Sequence, residues 1–374
     1  MALVHDFLVD VRGAERVFLE ICRIWPQADV FAAIYDERGT EGRFAGRPVN
    51  TSFLQRLRPT ARSFRGLLPL YPSAIESFDL SGYELVISSS SAWAHGVRPA
   101  PGAVHVSYCH NPFRYAWSER RPTLDSRAAI VRPALSEVLA AWRRWDRRAA
   151  RRTDRYVANA QITRDRIREY FGRSAEVVHP PVALERFAPG EVGRHYVCLS
   201  ELISHKQLQV AIEAFNRLGR QLVIVGDGPD YRRLRRLAGP TVGFAGRISD
   251  EAVAELLATC RALVVTSVEE FGIAAVEVQA AGRPVIGRAA GGVLETVRDG
   301  VTGRLWSGGV DQLVAAVAGF DDEAIDPAAC IENAKRFSAE EFERGIVTQV
   351  EEAIAAAARD AAPPQKVRAA VGFA

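Results

Sequence analysis

The sequence is poor in cysteine and has no long hydrophobic run. Its five cysteines are widely spaced and include no CxxC pair: Cys22, Cys109, Cys198, Cys260 and Cys330. This spacing predicts neither a disulfide framework nor a metal or redox site, and it favours small buried thiols in a reducing compartment. No stretch approaches the roughly 18 apolar residues of a membrane span, and His5 and Asp6 interrupt any apolar core of a signal peptide. We therefore expect a cytoplasmic protein.

Neither sign of charge dominates, and lysine is scarce. The 48 lysine and arginine residues nearly balance the 45 aspartate and glutamate residues, which gives a formal net charge of +3. No basic block is interleaved with stacking aromatic residues, so the composition does not predict nucleic-acid binding. The chain has three lysines, Lys206, Lys335 and Lys366, and it uses arginine for almost every other cation. A lysine at the edge of a predicted sheet is therefore worth examining.

Two common site motifs are missing. No Asp-x-Asp pair occurs anywhere in the chain. Because that pair is the usual carboxylate arrangement for a catalytic metal, we expect metal-independent chemistry. The first predicted strand, ALVHD, is followed by VRGAERV, where Gly13 precedes a helix without forming GxGxxG. The acidic residue expected of a dinucleotide site is also absent, so a nicotinamide enzyme is disfavoured.

What the chain does contain is a regular alternation of β-rich runs with amphipathic helical patterns, which predicts an α/β fold with parallel sheets. Five strands are predicted in the first half of the chain, at residues 2–6, 29–35, 84–90, 103–109 and 155–160. Five more are predicted in the second half, at residues 196–200, 221–225, 241–245, 262–267 and 284–287. Proline and glycine punctuate residues 177–194 between the two series, as expected of a linker.

We therefore predict two Rossmann-like domains that face each other across a cleft. The first domain is expected to span residues 1–185 and to be joined by a C-terminal helix at about 345–362. The second is expected to span residues 186–344, with a flexible tail at 363–374. Open α/β sheets bind ligands outside the carboxyl ends of their strands. Functional residues should therefore follow the predicted strands.

Three carboxylates interrupt the apolar run VEEFGIAAVEVQAAG, which follows the predicted strand at 262–267: Glu269, Glu270 and Glu277. Glu277 lies one helical turn beyond Ile273, beside an apolar stripe. Its carboxylate must therefore bind a ligand or find a partner inside the fold, and the hydroxyls of a sugar or a ribose would serve as donors. The alternative is that Glu269 and Glu270 form a solvated helix N-terminus and Glu277 a structural ion pair.

Further candidates could contact a phosphate group. Lys206 lies near the predicted start of a helix after strand 196–200, where its compact charge could bind phosphate, although an ordinary surface lysine is the alternative. Gly291 and Gly292 precede another helix and could form a backbone amide nest. Paired glycines alone are weak evidence for such a nest. Asp227, in the turn VIVGDGPD, is interpreted as turn chemistry.

The first half contributes a candidate cleft wall and a basic helix. The strand at 103–109 ends in CHNPFRYAW, which places His110, Arg114, Tyr115 and Trp117 at the predicted cleft wall. His110 could equally be an ordinary loop histidine. Residues 140–155 form a basic amphipathic helix that could lie on anionic lipid, with a solvated helix face as the alternative. The residues expected at such a lipid surface are Trp142, Arg143, Arg144, Arg147 and Arg148.

Taken together, these stretches resemble the retaining glycosyltransferases of family GT4, which have the two-domain GT-B fold. The resemblance covers nearly the whole chain and is most specific at EFGIAAVEVQA, where Glu269 and Glu277 match the Glu-x7-Glu pair of the family. It implies that Glu269 contacts the transferred sugar and Glu277 the ribose of the nucleotide. Phe271, Gly272 and Ile273 belong to the same donor-binding stretch.

The resemblance also assigns roles outside this stretch. It implies that the loop at Gly13 faces the donor diphosphate, that His110 lies near the donor sugar and that Lys206 binds phosphate. His110, Lys206 and Glu269 are therefore the expected catalytic residues. Gly291 and Gly292 would provide backbone amides for the donor.

One position departs from the family pattern. The family usually has an arginine in a Ser-Arg-Leu or Gly-Arg-Leu triplet shortly before the phosphate-binding lysine, whereas this chain has Ser200, Glu201 and Leu202. Arg247 is a candidate for supplying the missing cation. The alternative is that the chain is a catalytically silent GT-B protein that binds a glycolipid or a partner enzyme.

Individual segments of the sequence, including HNPFRYAW and SFDLSGYELVISSSS, look most like those of bacterial enzymes that build surface polysaccharides. The resemblance implies a metal-independent retaining hexosyltransferase that uses a nucleotide-sugar donor, with GDP-mannose and mannosyl transfer as the specific expectation. The acceptor would be a glycan or a lipid-linked saccharide, and the protein would work in the cytoplasm, in peripheral contact with the inner face of the membrane. A nucleotide-sugar 2-epimerase is a further alternative.

Overall fold

The computed structural model describes residues 1–61 and 63–361, so the tail expected at 363–374 lies outside the described residues. The chain forms two parallel sheets flanked by helices, which confirms the predicted α/β class and the two Rossmann-like domains. Within the part of the chain that the structure describes, no helix is long and apolar enough to cross a membrane.

The first sheet has seven strands in the order β3-β2-β1-β4-β5-β6-β7. The strands are β1 (Ala2–His5), β2 (Asp29–Ala32), β3 (Val49–Thr51), β4 (Leu85–Ser90), β5 (Val104–Cys109), β6 (Arg155–Ala158) and β7 (Ala175–Val177). The interior strand β1 aligns Leu3 with Val30 of β2 and with Ile87 of β4. Its neighbours on both sides are parallel to it, as expected when the connections between strands are helical crossovers.

The second sheet has six strands in the order β10-β9-β8-β11-β12-β13. The strands are β8 (His195–Leu199), β9 (Gln221–Val225), β10 (Val242–Gly246), β11 (Leu263–Val265), β12 (Val285–Arg288) and β13 (Gly303–Trp306). Chain order reverses between β8 and β11, so this sheet has a topological switch point at its centre. Ligands of doubly wound sheets bind outside the strand ends at such a point.

Thirteen α-helices flank the two sheets in the described residues. They are α1 (Gly13–Ile24), α2 (Tyr71–Glu76), α3 (Arg120–Asp125), α4 (Arg132–Ala149), α5 (Gln161–Phe171), α6 (Leu208–Leu218), α7 (Tyr231–Leu237), α8 (Asp250–Thr259), α9 (Ile273–Ala280), α10 (Val293–Thr296), α11 (Val310–Ala318), α12 (Pro327–Lys335) and α13 (Ala339–Ala361). Helix α13 returns to the first sheet, where Phe342 and Ile346 share a buried cluster with Leu3 and Ile87. Burial of this apolar face attaches α13 to the first domain.

Three strands were not predicted. β3, β7 and β13 are edge strands of three or four residues, and their sequences VNT, AEV and GRLW contain no continuous apolar run. The predictions relied on such runs, which are typical of strands that are buried on both faces. The predicted strand at 29–35 is also too long, because β2 ends at Ala32.

The prediction that Trp142 meets a lipid surface is wrong. The Trp142 ring is partly buried and packs on the aromatic core of the first domain, with its centroid 5.5 Å from that of Trp93 and 5.4 Å from that of Phe113. Sequence periodicity did not show which face of α4 carries this ring. Arg144 and Arg148 are exposed on the same helix.

A buried carboxylate fixes the loop that follows β4. Asp6 is fully buried immediately after β1, and its two oxygens accept four backbone N–H groups at distances of 2.5–3.0 Å: those of Ser91, Ala92, Trp93 and Ala94. Charge-assisted hydrogen bonds of this kind offset the cost of burying the carboxylate. Asp6 therefore joins the ends of two neighbouring strands on the cleft side of the first sheet.

We expect Asp6→Asn to lower the free energy of unfolding by at least about 2 kcal/mol, because the new amide group would direct its own N–H groups at two backbone donors. Chemical denaturation followed by circular dichroism measures this change. Asp79→Asn is the control, since Asp79 lies in an exposed turn and accepts hydrogen bonds only from Ser81. Equal stability of the two variants would contradict an anchoring role for Asp6.

Candidate functional site

The N-termini of two helices meet across the cleft. Helix α1 begins at Gly13 in the first domain, and α9 begins at Ile273 in the second. A Cβ atom on Gly13 would lie 3.1 Å from Cδ1 of Ile273, so the two predicted donor-binding positions are close neighbours. A small residue at position 13 allows this approach. The predicted site residues of the second domain follow the ends of its strands: Lys206 follows β8, Arg247 follows β10, Glu269 follows β11, and Gly291 and Gly292 follow β12.

Lys206 and Glu269 form a tight pair in this region. The Nζ atom of Lys206 donates to Oε2 of Glu269 at 2.6 Å, and the hydroxyl of Ser267 donates to Oε1 of the same carboxylate. Burial opposes ionisation of Glu269, but the charge and hydrogen bond of Lys206 outweigh it and hold the pKa of Glu269 below its usual range. The structure therefore brings together two of the three predicted catalytic residues and presents one ammonium group at the cleft.

Glu277 differs from the neighbouring carboxylates because it has no partner. It lies on α9, half-buried, and its carboxylate makes no hydrogen bond or ion pair with the described part of the chain. Burial raises the pKa of Glu277, while the charges of Arg16 and Arg186 act in the opposite direction. A half-buried carboxylate without donors is ready to accept hydrogen bonds from the hydroxyl groups of a ligand.

Glu270 is engaged across the cleft. Its two oxygens lie 3.4 Å from Nη2 of Arg114 and 3.1 Å from Nη1 of Arg166, both in the first domain. Glu269 and Glu270 therefore do not form a solvated helix N-terminus, and α9 begins only at Ile273. The alternative proposed for these two residues is wrong, because each carboxylate has a specific cationic partner.

Gly291 and Gly292 pack against the connection between β11 and α9, residues 266–272, which we call the Glu269 loop. The N–H of Gly292 donates to the backbone oxygen of Glu269 at 2.8 Å, and Glu269 also forms a parallel bridge with Gly291. A Cβ atom on Gly292 would lie 2.3 Å from Cα of Phe271. The amide of Gly292 is thus already used inside the protein, which corrects the expectation that both glycines offer free amides to a phosphate.

Phe271 and Gly272, which lie between Glu269 and α9, have different structural roles. Phe271 packs in the core, and Gly272 forms the turn that precedes the helix. Phe271 is only 3% exposed, and its ring packs in the core against Phe337 and His179. Gly272 precedes α9 with φ = +90°, a conformation that residues with a Cβ atom rarely adopt. Helix α9 starts directly after this turn and carries Glu277, on which the charge of Arg16 of the first domain acts.

His110 follows β5 at the cleft edge of the first sheet. Its Nε2 atom lies 2.8 Å from the Ser89 hydroxyl, and its ring meets that of Tyr108 edge-on at 5.1 Å. Burial and the nearby His5 lower the pKa of His110 to about 3. The imidazole is therefore neutral at physiological pH and can offer a hydrogen bond, although it cannot supply positive charge.

A chain of ion pairs crosses the cleft at Glu201. Nη1 of Arg12 lies 2.9 Å from Oε2 of Glu201, and Nε of Arg12 lies 3.0 Å from Oδ2 of Asp10. Asp10 in turn pairs with Arg247 at 3.2 Å, and Arg247 reaches Glu41 at 3.7 Å. In this series of ion pairs, Arg12 and Asp10 lie between Glu201 and Arg247. The cation that meets Glu201 is Arg12, which the sequence did not single out.

A second group of ion pairs surrounds Asp250 at the start of α8. Its carboxylate lies 2.8 Å from Arg16, 3.5 Å from Arg43 and 3.4 Å from Arg186. Arg16 and Arg43 belong to the first domain and Asp250 to the second, so this group also spans the cleft. Burial opposes the charge, but Arg16 and its neighbours hold the pKa of Asp250 below its usual value.

A cavity lies beside these residues at the carboxyl ends of β9 and β10. Its volume is about 400 Å³, and its lining includes Asp227, Tyr231, Phe244 and Arg247. Asp227 accepts the backbone N–H of Gly228 at 2.7 Å, as the turn interpretation expects, while also lining this cavity. Among the described residues, no group of three or more histidine, cysteine, aspartate or glutamate side chains could hold a metal ion.

Two family models match consecutive parts of the chain. The model described as Glycosyltransferase Family 4 matches residues 11–186, and the model described as Glycosyl transferases group 1 matches residues 186–337. Together they span most of the chain.

Curated relatives match over a shorter stretch. A GDP-mannose-dependent alpha-(1-6)-phosphatidylinositol monomannoside mannosyltransferase of Mycolicibacterium smegmatis is 33% identical over 193 residues, which are 42% of this chain and 50% of the relative. A D-inositol 3-phosphate glycosyltransferase of Mycobacterium leprae is 31% identical over 196 residues, which are 44% of this chain and 45% of the relative. The chain thus spans about half the length of the curated relatives it matches.

Solved structures resemble almost the whole chain. Anabaena Alr3699/HepE in complex with UDP and glucose matches with a TM-score of 0.68 at 18% identity, over 94% of this chain and 99% of that one. Sucrose-phosphate synthase from Thermosynechococcus elongatus matches with a TM-score of 0.73 at 16% identity, over 95% of this chain and 100% of that one. At these identities the similarity establishes the shared fold.

We expect Gly292→Ala to destabilise the protein by about 1–3 kcal/mol, because the added Cβ must displace the backbone at Glu270 and Phe271. Thermal and chemical denaturation measure the change. Gly243→Ala is the matched control, since a Cβ atom at that position meets no atom within 4 Å. Equal stability of the two variants would show that the Glu269 loop does not depend on this contact.

Proposed function

The chain belongs to glycosyltransferase family 4 and has the GT-B fold. We propose that it transfers mannose from GDP-mannose to a hydroxyl group of a glycan or lipid-linked saccharide. The anomeric configuration is retained, and no metal ion takes part. The observation that carries the proposal is the half-buried carboxylate of Glu277, which has no partner in the described residues and shares the cleft with Lys206. The mannosyltransferase relatives support the choice of donor.

The proposed roles follow from the chemistry of each group. Glu277 accepts hydrogen bonds from the ribose hydroxyls of the donor, which takes the place of its missing protein partner. Lys206 stabilises the negative charge that develops on the departing diphosphate. Glu269, positioned by Lys206 and Ser267, contacts the transferred sugar. His110, neutral and bound to Ser89, offers a hydrogen bond to the same sugar.

The base would occupy the cavity at the ends of β9 and β10. That cavity contains two aromatic rings, Tyr231 and Phe244, and the carboxylate of Asp227, which could accept hydrogen bonds from the N–H groups of a guanine. Its volume of about 400 Å³ lies within the usual range of small-molecule pockets. The cavity proposed for the base and Glu277, proposed for the ribose, both belong to the second domain. This domain alone would therefore bind the whole nucleoside.

Calorimetric titration of the full chain with GDP, UDP, ADP and their sugar conjugates tests the proposal. We expect selective binding of GDP-mannose and GDP, and we expect Glu277→Gln to weaken it by about ten-fold or more because a charge-assisted hydrogen bond to the ribose is lost. Excess EDTA should change neither binding nor turnover. Glu255→Gln, at an exposed position of α8, is the control and should bind like the wild type.

Other outcomes of this titration would select the alternatives. Absence of binding to every nucleotide sugar would favour the catalytically silent binding protein. Conversion of GDP-mannose to an epimer without an acceptor would favour the 2-epimerase. Tight binding of UDP or ADP conjugates with weak binding of GDP would reject mannosyl transfer from GDP-mannose.

We also propose that the first domain touches an anionic membrane surface at the junction of α3 and α4. Ile130 is 89% exposed there, and Val131 and Val138 are exposed beside it. Arg144 and Arg148 are exposed on the same helix. Exposed apolar side chains near arginines are typical of segments that insert into the headgroup region of anionic bilayers. Such contact would bring the cleft close to a lipid-linked acceptor.

We expect the double variant Ile130→Asp, Val131→Asp to lose most of its binding to vesicles that contain an anionic phospholipid, since both side chains would have to bury a charge in the headgroup region. Co-sedimentation of the full chain with anionic and with purely zwitterionic vesicles measures this. Val192→Asp, at an exposed apolar position of the linker, is the control. Unchanged co-sedimentation of the double variant would reject contact at this junction.

A further inference from the structure

Glu201 stands where the family has a cation, and the structure gives it a cationic partner from the other domain. The guanidinium of Arg12 is 2.9 Å from the Glu201 carboxylate. Arg12 precedes α1, and Glu201 follows β8, so the pair bridges the cleft. At this point of the cleft the acid therefore belongs to the second domain and the cation to the first.

The position of Arg12 places its charge at the proposed donor site. Arg12 adjoins Gly13, which contacts Ile273 at the start of α9, and Glu277 lies one turn along that helix. Glu201 and Lys206 lie in the same connection between β8 and α6. The proposed donor site thus has one cation from each domain, and each cation forms an ion pair with a carboxylate. Lys206 pairs with Glu269, and Arg12 pairs with Glu201.

The pair between Arg12 and Glu201 is suited to exchange. The Arg12 side chain is 48% exposed and that of Glu201 is 32% exposed, and ion pairs this accessible to solvent contribute little to stability. A diphosphate carries more charge than a carboxylate and matches the planar fork of a guanidinium. A guanidinium stays protonated at physiological pH, so the Arg12 cation persists whether or not it is paired with Glu201.

We infer that Arg12 is a contact for the donor diphosphate supplied by the first domain, and that Glu201 holds its guanidinium in the empty cleft and releases it when the diphosphate binds. This inference rests on the proposed function, since it concerns the same donor. It explains how a chain with Glu201 at the usual arginine position keeps two cations for the diphosphate. Transfer of the contact from Glu201 to the ligand would also couple donor binding to the relative position of the domains.

Titration of the full chain with GDP distinguishes this role from a mere connection between domains. We expect Arg12→Ala to weaken GDP binding by about ten-fold or more, as loss of a charge-assisted contact would. Glu201→Gln should bind GDP as tightly as the wild type or a few-fold tighter, because it removes a competing anion. In the double variant Arg12→Ala, Glu201→Arg, a cation returns from the other side of the cleft and should recover much of the lost affinity.

Arg43→Ala is the control, because Arg43 also pairs with an acid across the cleft, at Asp250, but has no proposed contact with the donor. It should bind GDP like the wild type. Equal weakening in Arg12→Ala, Glu201→Gln and Arg43→Ala would overturn the inference and assign all three residues to domain closure. Unchanged affinity in Arg12→Ala, with a wild type that binds GDP, would overturn this inference alone. No binding of GDP or of any other nucleotide by the wild type would overturn the proposed function and this inference together.

Discussion

The carboxylates that line the cleft of this protein require cationic partners, and most of those partners come from the opposite domain. Glu201, Asp250 and Glu270 belong to the second domain, and each meets at least one arginine of the first. A partly buried carboxylate without such a partner is costly, because it loses water and gains little in return. The ion pairs therefore neutralise the carboxylates of one domain with arginines of the other. Glu277 is the exception, and its open carboxylate is the reason for assigning a ligand to the cleft.

Close backbone contact supports the same arrangement. The Glu269 loop rests on Gly291 and Gly292, and the turn at Gly272 starts α9 in the direction that brings Glu277 to the cleft. Lys206 then binds Glu269 from the neighbouring connection. The carboxylate of Glu269 and the ammonium group of Lys206 are thus held by short connections at the ends of parallel strands. Doubly wound sheets bind ligands at these ends. Preorganised charge of this kind favours a reaction in which a diphosphate departs.

The sequence was sufficient for the α/β class and for the positions of most central strands, because strands buried on both faces leave continuous apolar runs. It also singled out Lys206, Glu269 and Glu277 as candidate site residues, since a rare lysine and acids within an apolar run stand out locally. Arg12 and Arg166 could not be found in this way. Each is one arginine among many, and its role depends on a partner that lies far away in the sequence. The same limit applies to Asp6, whose four amide partners follow a different strand, and to the inward orientation of Trp142.

A crystal structure of the full chain with GDP would test most directly whether the cleft is organised around one open carboxylate. We expect the ribose hydroxyls to lie within hydrogen-bonding distance of Glu277 and the diphosphate to lie against Lys206. A nucleotide bound elsewhere, or a nucleotide in the cleft that leaves Glu277 without a hydrogen bond, would contradict this expectation.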